Sequence, residues 1–139
     1  MEIENLFDKA DNIYELTNSD FTTHTKNTHR LNHKDIKDKY GLLLVYAPWC
    51  KHCKDSVGLF DYIANEVHDY DIKIATLNSE NEKNKDLVKA LGVKTFPTLF
   101  TINKGIKKQK NMHGGLQQYG GERNINSLMI ELYVMKNNL

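Results

Sequence analysis

Only two of the 139 residues are cysteine, too few for a small fold stapled by several disulfides. Long apolar runs are missing too. The most apolar stretch, Leu42-Leu43-Leu44-Val45-Tyr46, falls far short of the roughly 20 residues needed to cross a bilayer, so no membrane association is expected. Neither sign of charge dominates, with 19 basic residues against 18 acidic ones and a formal net charge of +1. A strongly basic face is the usual footprint of nucleic-acid binding, and its absence excludes that class. The chain opens Met1-Glu2-Ile3-Glu4-Asn5, acidic where a secretory signal is basic, and closes Lys136-Asn137-Asn138-Leu139, without a retrieval sequence. The expectation is a cytoplasmic protein. Arginine is scarce, 2 against 17 lysines, and asparagine is abundant, which hints at an AT-rich genome and at no mechanism.

What remains suits one domain, since a chain of this length buries about two-thirds of its unfolded surface and needs no staple. Ile3, Leu6, Phe7 and Ala10 lie at roughly helical spacing, so residues 1–11 read as a short N-terminal helix appended to a domain over 12–139. Ile13 to Leu16 reads as a strand, followed by the helix-capping types Thr17-Asn18-Ser19-Asp20. Residues 22–40 are polar, with Leu31 and Ile36 as the aliphatic anchors, and part of this segment is expected to be a surface loop.

Leu42 to Tyr46 shows no alternation, as expected of a central strand covered on both faces. Val57, Phe60, Ala64 and Val67 then recur at helical spacing, predicting a helix from about Cys50 to Val67. Ile72 to Leu77 reads as a second buried strand. Asn84 to Leu91 reads as a short helix that Gly92 ends in the left-handed conformation. Thr98 to Ile102 predicts a strand turning through Asn103-Lys104-Gly105 into a lysine-protected edge strand at Ile106 to Lys110. Ile125, Leu128, Met129 and Leu132 predict a closing helix capped by Asn124 or Asn126. Strand, helix, strand, helix in that order indicates an α/β fold with parallel pairing.

Both cysteines lie in Trp49-Cys50-Lys51-His52-Cys53-Lys54, at the junction of a buried strand and a helix. A cysteine at the first turn faces unsatisfied N–H groups and the positive end of the helix dipole, so Cys50 is expected to be the more reactive sulfur. Cys53 projects one turn later from the same face, close enough to close a disulfide or resolve a mixed one. The pair is a dithiol exchange site, and no cofactor is needed because both electrons reside in the sulfurs. Zinc would want four ligands, yet no second cysteine pair exists, and His24, His29 and His33 read as ordinary residues of a polar loop. No metal is assigned.

Tyr46-Ala47-Pro48-Trp49-Cys50-Lys51-His52-Cys53-Lys54 and, some forty residues on, Gly92-Val93-Lys94-Thr95-Phe96-Pro97-Thr98-Leu99 together resemble the thioredoxin superfamily. The likeness is greatest to single catalytic domains of protein disulfide isomerases. Tyr119-Gly120-Gly121-Glu122-Arg123 is similar to a Tyr-x-Gly-x-Arg pattern of those domains, and Glu15 to Phe21 to their first strand and turn. The resemblance covers about residues 12 to 136 and implies a thioredoxin-like fold, a central mixed sheet with helices on both faces. It makes Cys50 the exposed nucleophile and Cys53 the resolving thiol, and it places Trp49 beside the site. It also implies that Pro97 is a cis-proline lying against the dithiol, with Phe96 and Pro97 receiving the substrate chain. On its own residues, Pro97 reads as a strand breaker.

Two positions depart from the family. Leu44 stands where a buried acid usually serves the resolving thiol, and Thr76 stands where a lysine usually neighbours that acid. Losing both is coherent, because either alone would be an uncompensated buried charge costing several kcal/mol. Without an acid nearby, release of mixed disulfides is expected to be slow. Lys51 and His52 add positive charge beside Cys50 and make the disulfide more oxidising. One exposed charge near a helix terminus contributes only about 0.3–1 kcal/mol, or roughly 6–20 mV, so His52 alone does not decide between reductase and isomerase.

The expected function is thiol–disulfide exchange on protein substrates by a monomer of the disulfide isomerase kind. A cytosolic thioredoxin-like reductase and a non-catalytic binding or virion module are the alternatives. A large DNA virus, assembling in host cytoplasm with its own disulfide catalyst, is a source that would reconcile motif with compartment.

Overall fold

The structure is a computed structural model that describes residues 4–25, 28–103 and 115–137. Its seven strands are β1 (Ile13–Leu16), β2 (Phe21–Thr25), β3 (Thr28–Leu31), β4 (Tyr40–Tyr46), β5 (Ile72–Asn78), β6 (Thr98–Ile102) and β7 (Leu116–Gln118). Among the described residues the α-helices are α1 (Lys51–Asp55), α2 (Val57–Val67), α3 (Lys85–Ala90) and α4 (Ile125–Asn137). Five strands form one sheet in the order β1-β5-β4-β6-β7, parallel among the first three and antiparallel thereafter.

The unalternating run of β4 sits at the centre and is buried along its whole length. Period two then sends its residues to opposite sides. Leu42, Leu44 and Tyr46 join Phe60, Ile63, Ala64 and Val67 of α2 and Leu128, Leu132 and Met135 of α4 in one core. Leu43 and Val45 join Leu87 and Val88 of α3, together with Phe21, Leu31 and Ile36, in the other. Each large side chain so buried contributes about 1.5–3 kcal/mol. The sheet is thus covered on both faces, as the resemblance implied. Gly41 is required at the start of β4, because a Cβ there would collide with the Lys73 carbonyl of β5. Gly92 ends α3 with φ +76°, the left-handed conformation expected of it.

Several expectations are corrected. Of the polar segment 22–40, the loop part is confined to 32–39, while residues 21–25 and 28–31 are the antiparallel strands β2 and β3, where β-branched threonines suit a pleated edge. The helix predicted from Cys50 to Val67 is broken at Ser56. The Ser56 hydroxyl bonds back to the His52 carbonyl at 2.7 Å and its N–H to the Cys53 carbonyl at 3.1 Å, a local competition that loosens a helix. β6 pairs with Leu116–Gln118, and the predicted strand at Ile106 to Lys110 lies outside the described residues. Ile125 is 41% exposed and Asn124 is the residue that caps α4, its Oδ1 accepting from the Ser127 N–H at 2.8 Å.

Residues 6–9 make turns rather than a helix. Their spacing nonetheless reports burial, since Phe7 enters the α2/α4 core and meets the Tyr46 ring edge-on at 5.3 Å.

Candidate active site at the Cys50–Cys53 turn

β4 ends at Tyr46, and the Cys50 N–H closes a turn onto the Ala47 carbonyl at 3.1 Å. Cys50 is the N-cap of α1. Its extended backbone (φ −79°, ψ 123°) turns Sγ inward, where it accepts from the Cys53 N–H at 3.3 Å. Both cysteines are free thiols. The resemblance implied an exposed Cys50, but it is only 7% exposed, covered by its cap geometry and by the loop before β6. Cys53 is wholly buried. Burial above all pushes the Cys53 thiol up to about 12, and the Cys50 thiol beside it adds to the rise. The Ala47 backbone and the Arg123 guanidinium oppose that rise.

The loop before β6 supplies the second wall. The Phe96–Pro97 bond is cis, as the resemblance implied, and the Phe96 carbonyl lies 3.6 Å from Cys50 Sγ, which donates to it. Trp49 is 65% exposed and stacks edge-on against Phe96 at 6.0 Å. Its indole N–H donates to Glu80 Oε1 at 2.9 Å. Cys50, Cys53, Trp49, Phe96 and Pro97 therefore converge. Lys51 and His52 point outward from α1. The Lys51 ammonium pairs with Asp55 at 2.9 Å, which raises the lysine and lowers the carboxyl and turns the cation away from the sulfur. Of the three histidines expected in a loop, His24 lies in β2 and His29 in β3, where His29 Nδ1 meets the Thr23 hydroxyl at 3.3 Å, and only His33 is in a loop, its Nδ1 accepting from the Asp35 N–H at 3.1 Å. Among the described residues no three His, Cys, Asp or Glu gather where a metal could be held.

Two contributors were not singled out from the sequence. Arg123 reaches across from the start of α4 to donate to the Pro97 carbonyl at 2.8 Å, and its charge is the one that favours the Cys53 thiolate. The signal was the Tyr119 to Arg123 pattern, noted without a role. An exposed charge of this kind contributes about 0.2–1 kcal/mol. Arg123→Ala should therefore slow resolution of a Cys50 mixed disulfide roughly 1.5- to 5-fold, measured by stopped-flow release of a substrate thiol, while first attack by Cys50 stays unchanged.

The second contributor is Glu15. Leu44 is fully buried in the same core as Cys53, and register sets it beside Thr76, which in turn pairs with Glu15 of β1. The expectation that no acid serves Cys53 holds, although a carboxyl does enter this part of the core from β1, two strands from Leu44. Glu15 Oε1 accepts from the Tyr46 hydroxyl at 2.7 Å and from the Thr76 hydroxyl at 3.0 Å. Oε2 is buried without a hydrogen-bond partner among the described residues. Burial raises Glu15 to about 7, against the pull of those two hydroxyls, and Asp8 raises it further. The interactions that set the Cys53 thiol include no carboxylate, so Glu15 belongs to Tyr46 and Thr76 rather than to the sulfurs.

A family model, Thioredoxin, matches residues 14–127. The chain belongs to the thioredoxin family. Among its relatives, a protein disulfide isomerase-like 2-2 of rice (Oryza sativa subsp. japonica) is 36% identical over 74 residues, 53% of this chain and 20% of its own length. A protein disulfide-isomerase of wheat (Triticum aestivum) is 35% identical over 99 residues, 68% of this chain and 18% of its own length. The chain thus spans about a fifth of the length of these relatives, 20% and 18% respectively. The crystal structure of the J-Trx1 fragment of ERdj5 superposes with a TM-score of 0.66 at 21% identity, over 94% of this chain and 52% of that one. At that identity the likeness shows the thioredoxin fold alone.

Proposed function

We propose that the protein is a thiol–disulfide oxidoreductase of the disulfide isomerase kind that acts on protein substrates through Cys50 and Cys53. The observation that carries this reading is the Cys50 sulfur held at 3.3 Å from the Cys53 N–H and 3.6 Å from the Phe96 carbonyl, at the end of a buried strand. A thiolate formed there keeps a donor on one side and meets a carbonyl strip on the other. In the forward step the Cys50 thiolate attacks one sulfur of a substrate disulfide. A Cys50–substrate bond forms, the substrate S–S bond breaks, and the departing thiolate takes a proton from water. Cys53, once deprotonated, attacks Cys50 Sγ and expels the substrate thiolate. The substrate gains two electrons and the protein keeps a Cys50–Cys53 disulfide. The reverse sequence oxidises a substrate dithiol.

Substrate in this reading lies along the Phe96–Pro97 backbone, with Trp49 as an exposed apolar shelf. Equilibrating the dithiol against glutathione buffers and quantifying the two states by mass spectrometry tests it. Isomerase chemistry expects a poise close to that of glutathione, near about −180 to −230 mV, and a value near about −270 mV would assign a thioredoxin-like reductase instead. Lys51→Ala should move the poise by no more than about 20 mV, since the Lys51 cation is solvated and turned to Asp55. A dithiol that never exchanges would overturn the oxidoreductase reading and leave a binding module.

A further inference from the structure

The N-terminal segment meets the carboxyl ends of β1, β5 and β4 through a continuous set of polar contacts. Asn78, the last residue of β5, donates from Nδ2 to the Glu4 carbonyl at 2.7 Å and to Asn5 Oδ1 at 2.9 Å. Asn5 Oδ1 also receives the Tyr46 hydroxyl at 3.3 Å, and that hydroxyl is the group held at 2.7 Å by Glu15. Phe7 is 2% exposed against the Tyr46 ring, pinning the segment from its apolar side. The same Asn78 turns its other end to the loop after β5. Asn78 Oδ1 accepts the Glu80 N–H at 2.9 Å, and Glu80 holds the Trp49 indole at 2.9 Å. One buried asparagine thus joins residues 4 and 5, which precede the stretch matched by the family model, to the aromatic next to Cys50.

We infer that residues 4–10 are a proton-sensitive latch on the dithiol face, closed over a neutral Glu15 and loosened when Glu15 ionises, and that through Asn78 and Glu80 its state sets the seating of Trp49. The driving force is local. The Tyr46 and Thr76 hydroxyls and the Asn78 backbone favour an ionised Glu15, but burial outweighs them and Oε2 makes no hydrogen bond among the described residues, so the charge calls for water. Water reaches it when the segment lifts. The titratable groups facing Glu15 are Tyr46 from β4, whose own proton is held tightly by burial, and Asp8 from the segment itself, while β5 offers the neutral Thr76 and Asn78. Asp8 is negative, so ionising Glu15 pushes against the very element that covers it.

That Trp49 matters for substrate rests on the exchange reading above, but the latch can be tested without any exchange assay. Trp49 is the single tryptophan, so intrinsic fluorescence reports on it alone. Between pH 5.5 and 8.5 the expected result is a one-proton transition in Trp49 emission centred near neutrality, absent from Glu15→Gln. A transition caused by His52 or Cys50 would persist in that variant. Amide hydrogen exchange of residues 4–10, corrected for the intrinsic effect of pH, should speed at least tenfold across the same range in the wild type and stay level in Glu15→Gln. Phe7→Ala should open the latch at pH 6, giving emission like that of the wild type at pH 8.5. Asp8→Asn, which leaves the core untouched, removes a negative charge that holds Glu15 up and should move the transition to lower pH. A transition retained in Glu15→Gln, or segment exchange independent of pH, overturns the latch. A protein that passes these tests but never exchanges disulfides would overturn only the functional reading.

Discussion

Cys50→Ser is expected to abolish exchange with protein disulfides, whereas Cys53→Ser should keep the first attack and accumulate the protein as mixed disulfides. The asymmetry follows from the geometry. Cys50 sits at the helix cap with one backbone N–H on its sulfur and a small part of its surface exposed, while Cys53 is wholly buried. Loss of the attacking sulfur should lower the rate by at least about 10³-fold, the order expected when a nucleophile is removed. Cys53 has a different task, since it is held up to about 12, chiefly by burial. At pH 7 such a thiol is almost wholly protonated. The share of that rise due to the Cys50 thiol disappears once Cys50 is in a mixed disulfide, and burial remains. Resolution is therefore the slow step, and removing Cys53 turns slow into absent. Incubating each variant with a disulfide-containing protein, followed by non-reducing mass spectrometry, separates the roles. Turnover retained by Cys50→Ser, or adducts that accumulate on Cys53 in place of Cys50, would reverse the assignment.

The parts of this arrangement that could be read from the chain are those in which one short segment determines its own surroundings. Leu42 to Tyr46 is apolar on both faces and can only be a central strand, and Cys50 and Cys53, one helical turn apart at its end, define their own chemistry. Gly92 and Asn124 likewise act through their own backbone and side chain. What escaped the reading depends on pairing between distant segments. Threonine suits an edge strand and a loop alike, so the β2/β3 hairpin emerges only where Phe21 meets Leu31. Phe7 has helical spacing with Leu6 and Ala10, but its burial comes from Tyr46, far along the chain. Glu15 is the plainest case. In Ile13-Tyr14-Glu15-Leu16 it looks like the polar member of an alternating strand, and the parallel register of Ile13 with Ile74 is what carries it inward beside Thr76. The broken helix at Ser56 was missed because apolar spacing ignores a hydroxyl competing for a carbonyl.

Glu15 should also make the stability of the protein depend on pH, in a direction opposite to that of a salt-bridged carboxylate. Its carboxyl titrates near 7 in the folded chain, against an ordinary value of 4.5. Below pH 4.5 the group is neutral in both states and weakens nothing. From there to about 7 the unfolded chain has released a proton that the folded chain still holds, so stability falls as pH rises, and it levels off above the folded value. A rise of this size corresponds to about 3 kcal/mol at 1.36 kcal/mol per unit of pKa, a large share of a marginal folding free energy. Glu15→Gln keeps an oxygen to accept from the Tyr46 and Thr76 hydroxyls and carries no charge. It should match the wild type near pH 4.5, exceed it at pH 8 by roughly 2–3 kcal/mol, and melt roughly 10 °C higher there. Urea unfolding of both proteins across that range decides the matter. A wild type whose midpoint is level between pH 4.5 and 8, or a variant weaker than wild type at pH 8, would mean that water already reaches the carboxyl in the folded state. Matching curves at low pH that diverge through neutrality would instead locate the destabilising charge at this one half-buried residue, whose Oε2 is shut off from solvent.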